Sequence, residues 1–144
     1  MDQTLGIGWT RNEAAARLAG FQRILGANLV LQLVIGVTAI AAPRWLSTQV
    51  GLDEPAQPGW VCAWGGMMLL VTALYVPGWL QPVRERVLNV AGILGRIGFA
   101  VLYLIMGLAL AKGFLWFAGF DFVFAVVLAA LFLRLGRAEL MARP

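Results

Sequence analysis

The chain has 144 residues, 61% of them hydrophobic and only 12% charged, with no histidine and a single cysteine. A soluble domain of that composition would leave more apolar surface in water than its fold could hide, so lipid is the expected solvent and residues 1–144 are expected to form one transmembrane domain. The net charge of +4 does not point to nucleic acid, because the basic residues flank apolar runs, where they set topology and attract anionic headgroups.

The first 22 residues are polar enough to stay out of a bilayer. Thr10-Arg11-Asn12-Glu13 has the form of a capping box. A short interfacial helix is therefore expected over 11–22, unless these residues are the first turns of a longer helix. From Ile24 to Ala42 there are nineteen residues without a charge, which at ~1.5 Å each cover ~28 Å, close to a bilayer's hydrocarbon thickness. This first span ends at Pro43-Arg44-Trp45. Ala39-Ile40-Ala41 imitates a signal-peptidase site, but the apolar core is too long and the acidic start Met1-Asp2 is wrong for a signal peptide, so the span should stay uncleaved.

Residues 44–59 carry Gly51, Asp53, Glu54, Pro55 and Pro58 and read as a loop with one interfacial turn around Trp45 and Leu46. The second span covers 60–80; Gly65-Gly66 would permit close helix contact, and Pro77 would kink or end its last turn. A short charged turn over 81–87 leads to the third span, 88–111, interrupted only by Arg96. Lys112-Gly113 is a tight turn, and the fourth span, 114–134, is interrupted only by Asp121.

Orientation follows from the basic residues. With the N-terminus in the cytoplasm, Arg11, Arg17, Arg23, Arg84, Arg86, Arg134, Arg137 and Arg143 lie on that side, against Arg44 and Lys112 outside. The tryptophans agree: Trp45, Trp60, Trp64 and Trp116 fall near the outer boundary, Trp9 and Trp79 near the inner one. The expected fold is all-α, an integral membrane antiparallel four-helix bundle with both termini cytoplasmic.

Charges inside spans are candidates for function. Gly92, Arg96, Ala100, Tyr103 and Gly107 share one face of the third helix; Ala118, Asp121, Ala125 and Ala129 share one face of the fourth. Small residues around a polar one turn toward neighbouring helices in a membrane, which places Arg96, Tyr103 and Asp121 inside the bundle. Folding the hairpin about Lys112 and Gly113 sets Asp121 level with Tyr103 or Leu104, ~11 Å above Arg96 at ~1.5 Å per residue. Side chains also lean toward their helix N-terminus. No direct contact between Arg96 and Asp121 is expected.

Asp121 then has three fates: protonated and hydrogen-bonded, for instance to Tyr103; ionised beside water; or paired with a basic group of a partner. Arg96 either snorkels with Asn89 as a polar neighbour or binds a ligand. Asn28 and Gln32, four apart on the first helix, either make interhelical hydrogen bonds or join Thr72, Arg96, Tyr103 and Asp121 in a polar lining. Met67, Met68 and Met106 read as gap fillers and Cys62 as a small hydrophobe. Without histidine and with one thiol, the sequence offers no metal site, no disulfide and no cofactor motif.

Leu25-Gly26 opening the first helix, Ala42-Pro43 closing it, Ala63-Trp64-Gly65-Gly66 in the second, Gly95-Arg96 in the third and Gly119-Phe120-Asp121 in the fourth resemble the DoxX-like group of small bacterial four-helix membrane proteins, over roughly Leu18 to Leu135. The resemblance implies the same four-helix architecture and a bacterial inner-membrane setting. Some members of the group are linked to thiol or sulfur redox and quinone-dependent complexes, but the CxxC pair that thiol chemistry needs is absent here.

The leading functional expectation is a non-enzymatic subunit or accessory of a larger membrane complex, with the lipid bilayer and protein partners around it. The alternative is a binding or carrier protein for a quinone or lipid, using Arg96, Tyr103 and Asp121. Third comes a proton-coupled small exporter, although such exporters carry their acidic residue in the first helix and this first span has none. An enzyme is the least favoured class.

Overall fold

The computed structural model describes the backbone of residues 3–142 and the side chains of residues 11–142. Among them there is no strand. The helices are α1 (Gln3–Ala41), α2 (Pro43–Gln49), α3 (Gly59–Leu80), α4 (Arg86–Ala109) and α5 (Phe114–Met141). All but α2 are long and apolar enough to cross a membrane, which gives the chain the build of a multi-pass helical membrane protein. Arg143, the Met1-Asp2 start and the side chain of Trp9 lie outside the described parts of the chain.

A separate interfacial helix over 11–22 is not what forms. Gln3 to Ala41 is one helix of 39 residues, because nothing between those points removes a backbone donor; the first proline is Pro43. Thr10 to Glu13 therefore lies inside a helix instead of capping one, and Glu13 pairs with Arg17 one turn on at 3.2 Å. The break comes at Ala42 (φ −142°), and Pro43 sits in the first turn of α2, where a missing N–H costs nothing. The expected turn around Trp45 is thus a seven-residue helix, closed by Gly51 at φ +76°, a left-handed position suited to glycine.

Among the long helices, α1 packs against α3 and α5, α5 packs against α4, and α3 meets α4 over a much smaller contact. The α1–α3 seam depends on two glycines. A Cβ on Gly65 would fall 2.8 Å from both the Gly36 carbonyl oxygen and the Ala39 methyl, so the backbones approach as closely as small-residue interfaces in lipid require. Gly66, by contrast, has open space around it. Further along, Trp79 Nε1 donates to the Gln22 carbonyl at 2.8 Å and Gln22 Nε2 donates to the Trp79 carbonyl at 3.0 Å, which fixes the end of α3 level with Gln22.

The tightest core forms at that end, where Phe21, Leu25 and Leu29 of α1 pack with Leu128 and Leu135 of α5. Buried Asn89 donates to the Gly78 and Pro82 carbonyls at 3.1 and 3.3 Å. It thereby satisfies one acceptor that the end of α3 leaves without an intrahelical partner and another in the turn that follows, a task local to the 81–85 turn and separate from Arg96. Leucines, valines and aromatics elsewhere on the long helices face outward, Leu94, Leu108 and Trp116 among them.

Candidate functional site

α3 and α4 are held together at two levels. At the first, Asn89 meets Gly78, and the ring of Tyr75 fills the notch left by Gly92, where a Cβ would lie 2.5 Å from the ring. At the second, Trp64 Nε1 donates to the Tyr103 hydroxyl at 3.1 Å. Between these levels the two helices part, and a cavity of about 170 Å³ opens there, backed by α1 and α5. Its polar wall comprises Gln32, Arg96, Tyr103 and Asp121; its apolar wall is largely aromatic and sulfur, from Trp64, Phe99, Phe117, Phe120, Met67 and Met68. The methionines thus face the hollow as well as filling gaps.

Arg96 and Asp121 are in direct contact, Nη1 to Oδ1 at 2.6 Å, with side chains only 6% and 15% exposed. This corrects the expectation of separate depths. The hairpin does not fold about Lys112 and Gly113: α4 already ends at Ala109, and the observed facing pairs are Gly107 with Leu115 and Tyr103 with Phe117. Carried down the helices, those pairs put Asp121 level with residues 99–101, so the gap to Arg96 is three to five residues, or ~5–8 Å at ~1.5 Å per residue. An arginine stem spans that distance. The guanidinium carbon also lies 5.8 and 5.7 Å from the ring centres of Phe120 and Phe124, so the cation is held by a carboxylate and two aromatic faces.

Three polar side chains at the site are nearly fully buried: Asn28 at 0%, Arg96 at 6% and Gln32 at 7% exposure. Arg96 Nη2, Gln32 Oε1 and both polar atoms of Asn28 have no hydrogen-bond partner in the protein. Such atoms are costly to leave unsatisfied in a low-dielectric interior. Gln32 lines the main cavity with Arg96, Tyr103 and Asp121, but Asn28 does not. Asn28 borders a separate gap of about 10 Å³ with Tyr75, Asn89 and Arg96, at the lower limit for a single water. Thr72 donates to the Met68 carbonyl at 2.8 Å, within its own helix, and takes no part in the lining.

Tyr103 is not the partner of Asp121; its hydroxyl accepts from Trp64, and its ring stacks over Phe114 at 6.3 Å. It belongs to a partition. A second cavity of about 270 Å³, bordered by Leu46, Ser47 and Val50 of the α2 segment, lies on the other side of Trp64, Tyr103 and Phe117. Tyr75 and Gly95 are cavity residues that pattern reasoning passes over. The hydroxyl of Tyr75 in mid-span was the available signal; the phenylalanines gave none, since an inward and a lipid-facing phenylalanine look alike in a sequence.

Chemically, the Arg96–Asp121 pair carries no net charge. Asp121 is the one carboxylate on the cavity wall, and it is already committed to Arg96. Among the described residues no group of histidine, cysteine, aspartate and glutamate could hold a metal ion. The cavity can receive a small neutral group against a wall that includes Arg96 and Gln32. Its size is near the ~150 Å³ of cavities that take one benzene-sized ring. Comparison with family models, curated proteins and solved structures gives no match to this chain.

Proposed function

We propose that the chain is a non-enzymatic protein of the bacterial inner membrane that binds a lipophilic molecule, a quinone or lipid, by a ring-sized polar head in the cavity between α3 and α4. The observation that carries this reading is the placement of Arg96 and Gln32, each with a buried polar atom that has no partner in the protein, on the wall of a cavity lined mainly by aromatic, sulfur and aliphatic side chains. Only a ring-sized portion of a ligand is accommodated, so the remainder of a longer molecule would leave through the parting of α3 and α4 into lipid. The bacterial setting follows from the DoxX-like resemblance of the motifs.

We read the four long helices as an antiparallel bundle with both chain ends in the cytoplasm. Facing pairs support it: Gly36 with Gly65 but Gly26 with Trp79, and Phe21 with Phe132. The arginine asymmetry supports the orientation.

An accessory role in a larger membrane assembly is favoured by one feature of α3. Ala63 and Gly66 are exposed, with nothing in the chain near Gly66, and small outward residues let another helix approach closely in lipid.

Native mass spectrometry of the full chain released from mild detergent tests the binding reading. The wild type should carry a small organic adduct. R96Q/D121N should lose it by removing the polar anchor, and Val71→Phe, which fills the cavity from its apolar wall, should lose it with the ion pair intact. An adduct retained by both variants would place the ligand elsewhere.

A further inference from the structure

Beyond the last turn of α3, α1 and α5 continue side by side. Gln22 is bonded to the last turn of α3 and Phe132 packs on Phe21. Residues 11–21 of α1 and 133–141 of α5 continue beyond the end of α3, with Val83 and Arg86 of the following turn alongside α5. Small buried residues, Ala14 and Ala138, lie on the two helices there. Along the seam is a groove of about 220 Å³ bordered by Glu13, Arg17, Arg134, Arg137, Ala138 and Met141. Three guanidinium groups and one carboxylate share it, and that carboxylate is paired with Arg17 at 3.2 Å. Among the described residues, Arg134 and Arg137 have no carboxylate within 4.0 Å.

Arg137 also forms the rim of a neighbouring groove of about 270 Å³, whose walls include Val83, Phe132, Leu133 and Leu140, with Arg86 and Glu139 at its polar edge. A cationic groove and an apolar groove thus share one arginine at the level where the membrane-length helices end. We propose that this pair of grooves is a site for an anionic phospholipid. Its phosphodiester lies across Arg17, Arg134 and Arg137, and the start of one acyl chain lies along Val83, Phe132, Leu133 and Leu140. Arginine forks suit phosphate oxygens in pairs. A free phosphate has the same anion chemistry but no use for the apolar groove, which favours the lipid as the source.

The site is independent of the Arg96 cavity, and its test uses different residues. The full chain is placed in nanodiscs of equimolar phosphatidylglycerol and phosphatidylcholine, and the lipid retained on release is read by native mass spectrometry. Phosphatidylglycerol should be enriched over phosphatidylcholine on the wild type. With each arginine that contacts the phosphodiester contributing charge-assisted hydrogen bonds, R134Q/R137Q should reduce the enrichment by about ten-fold or more, whereas R134K/R137K should retain most of it and R11Q/R84Q, which removes equal charge at the same end outside the groove, should change it much less. Circular dichroism on each variant establishes that the helices persist. Competition by added inorganic phosphate would overturn the lipid assignment and leave a free-phosphate site. No enrichment on the wild type, or equal losses in R134Q/R137Q and R11Q/R84Q, would overturn the site itself.

Discussion

Removing one member of the Arg96–Asp121 pair should be far more damaging than removing both. The 2.6 Å contact sits at 6% and 15% side-chain exposure, so little solvent reaches it to screen an orphaned charge. Stranding one partner of a buried pair costs ~3–5 kcal/mol, and a lone charge at mid-membrane costs ~2.5–3.5 kcal/mol on insertion scales. The two routes meet near ~3 kcal/mol for Asp121→Leu or Arg96→Leu alone. In the double variant no charge is left, and an apolar pair of similar volume is commonly neutral or stabilising. The singles would sum to ~6 kcal/mol while the double stays within ~1 kcal/mol of the wild type, a coupling of ~5 kcal/mol. Reversible unfolding in mixed micelles, followed by helical circular dichroism, measures all four corners of this cycle. Additive losses, with the double as unstable as the sum, would refute the pairing. So would single losses near the ~0.6 kcal/mol typical of hydrogen bonds between membrane helices.

Two further outcomes can be checked by the same unfolding measurement. Gly65→Leu drives a side chain into the Gly36 carbonyl oxygen and the Ala39 methyl, both 2.8 Å from the nearest new atom, and should cost at least ~1–3 kcal/mol; Gly66→Leu, pointing into open space, should stay within ~0.5 kcal/mol of the wild type. Equal effects at the two glycines would mean that α1 and α3 meet along another face. Asn28→Leu replaces two buried, unpartnered polar atoms by apolar ones and should be neutral or stabilising by ~1 kcal/mol; a loss of ~2 kcal/mol or more would show that Asn28 makes a hydrogen bond in lipid after all.

What could be read from the sequence was set by how local its cause is. Charge-free runs of membrane length produce helices by their own composition, so α3 and α4 begin and end, and α5 begins, close to where the runs do, whereas α5 continues past the expected 134 to Met141. The burial of Arg96, Gln32 and Asn28 follows from 3.6-residue periodicity, and all three are buried. The hairpin register is a different matter. It depends on where α4 stops, and a shift of a few residues in that point turned an apparent ~11 Å gap into contact. Between a short helix over 11–22 and the first turns of a longer one the sequence did not decide, because a capping-box pattern is equally at home inside a helix, where Glu13 serves Arg17. The cavity was the least legible part. It exists because α3 and α4 converge at Tyr75–Gly92 and again at Trp64–Tyr103 and part between, a property of two helices together that neither run of residues carries alone.

A high-resolution density map of the full chain extracted with its native lipids would test ligand binding most directly. The expected result is non-protein density in the cavity between α3 and α4, ring-sized at its inner end, within hydrogen-bond distance of Arg96 Nη2 and Gln32 Oε1, and continuing as a tail toward lipid. A cavity closed by rearranged Trp64, Met67 or Phe117, or one holding only the end of an acyl chain away from Arg96 and Gln32, would contradict the proposed function.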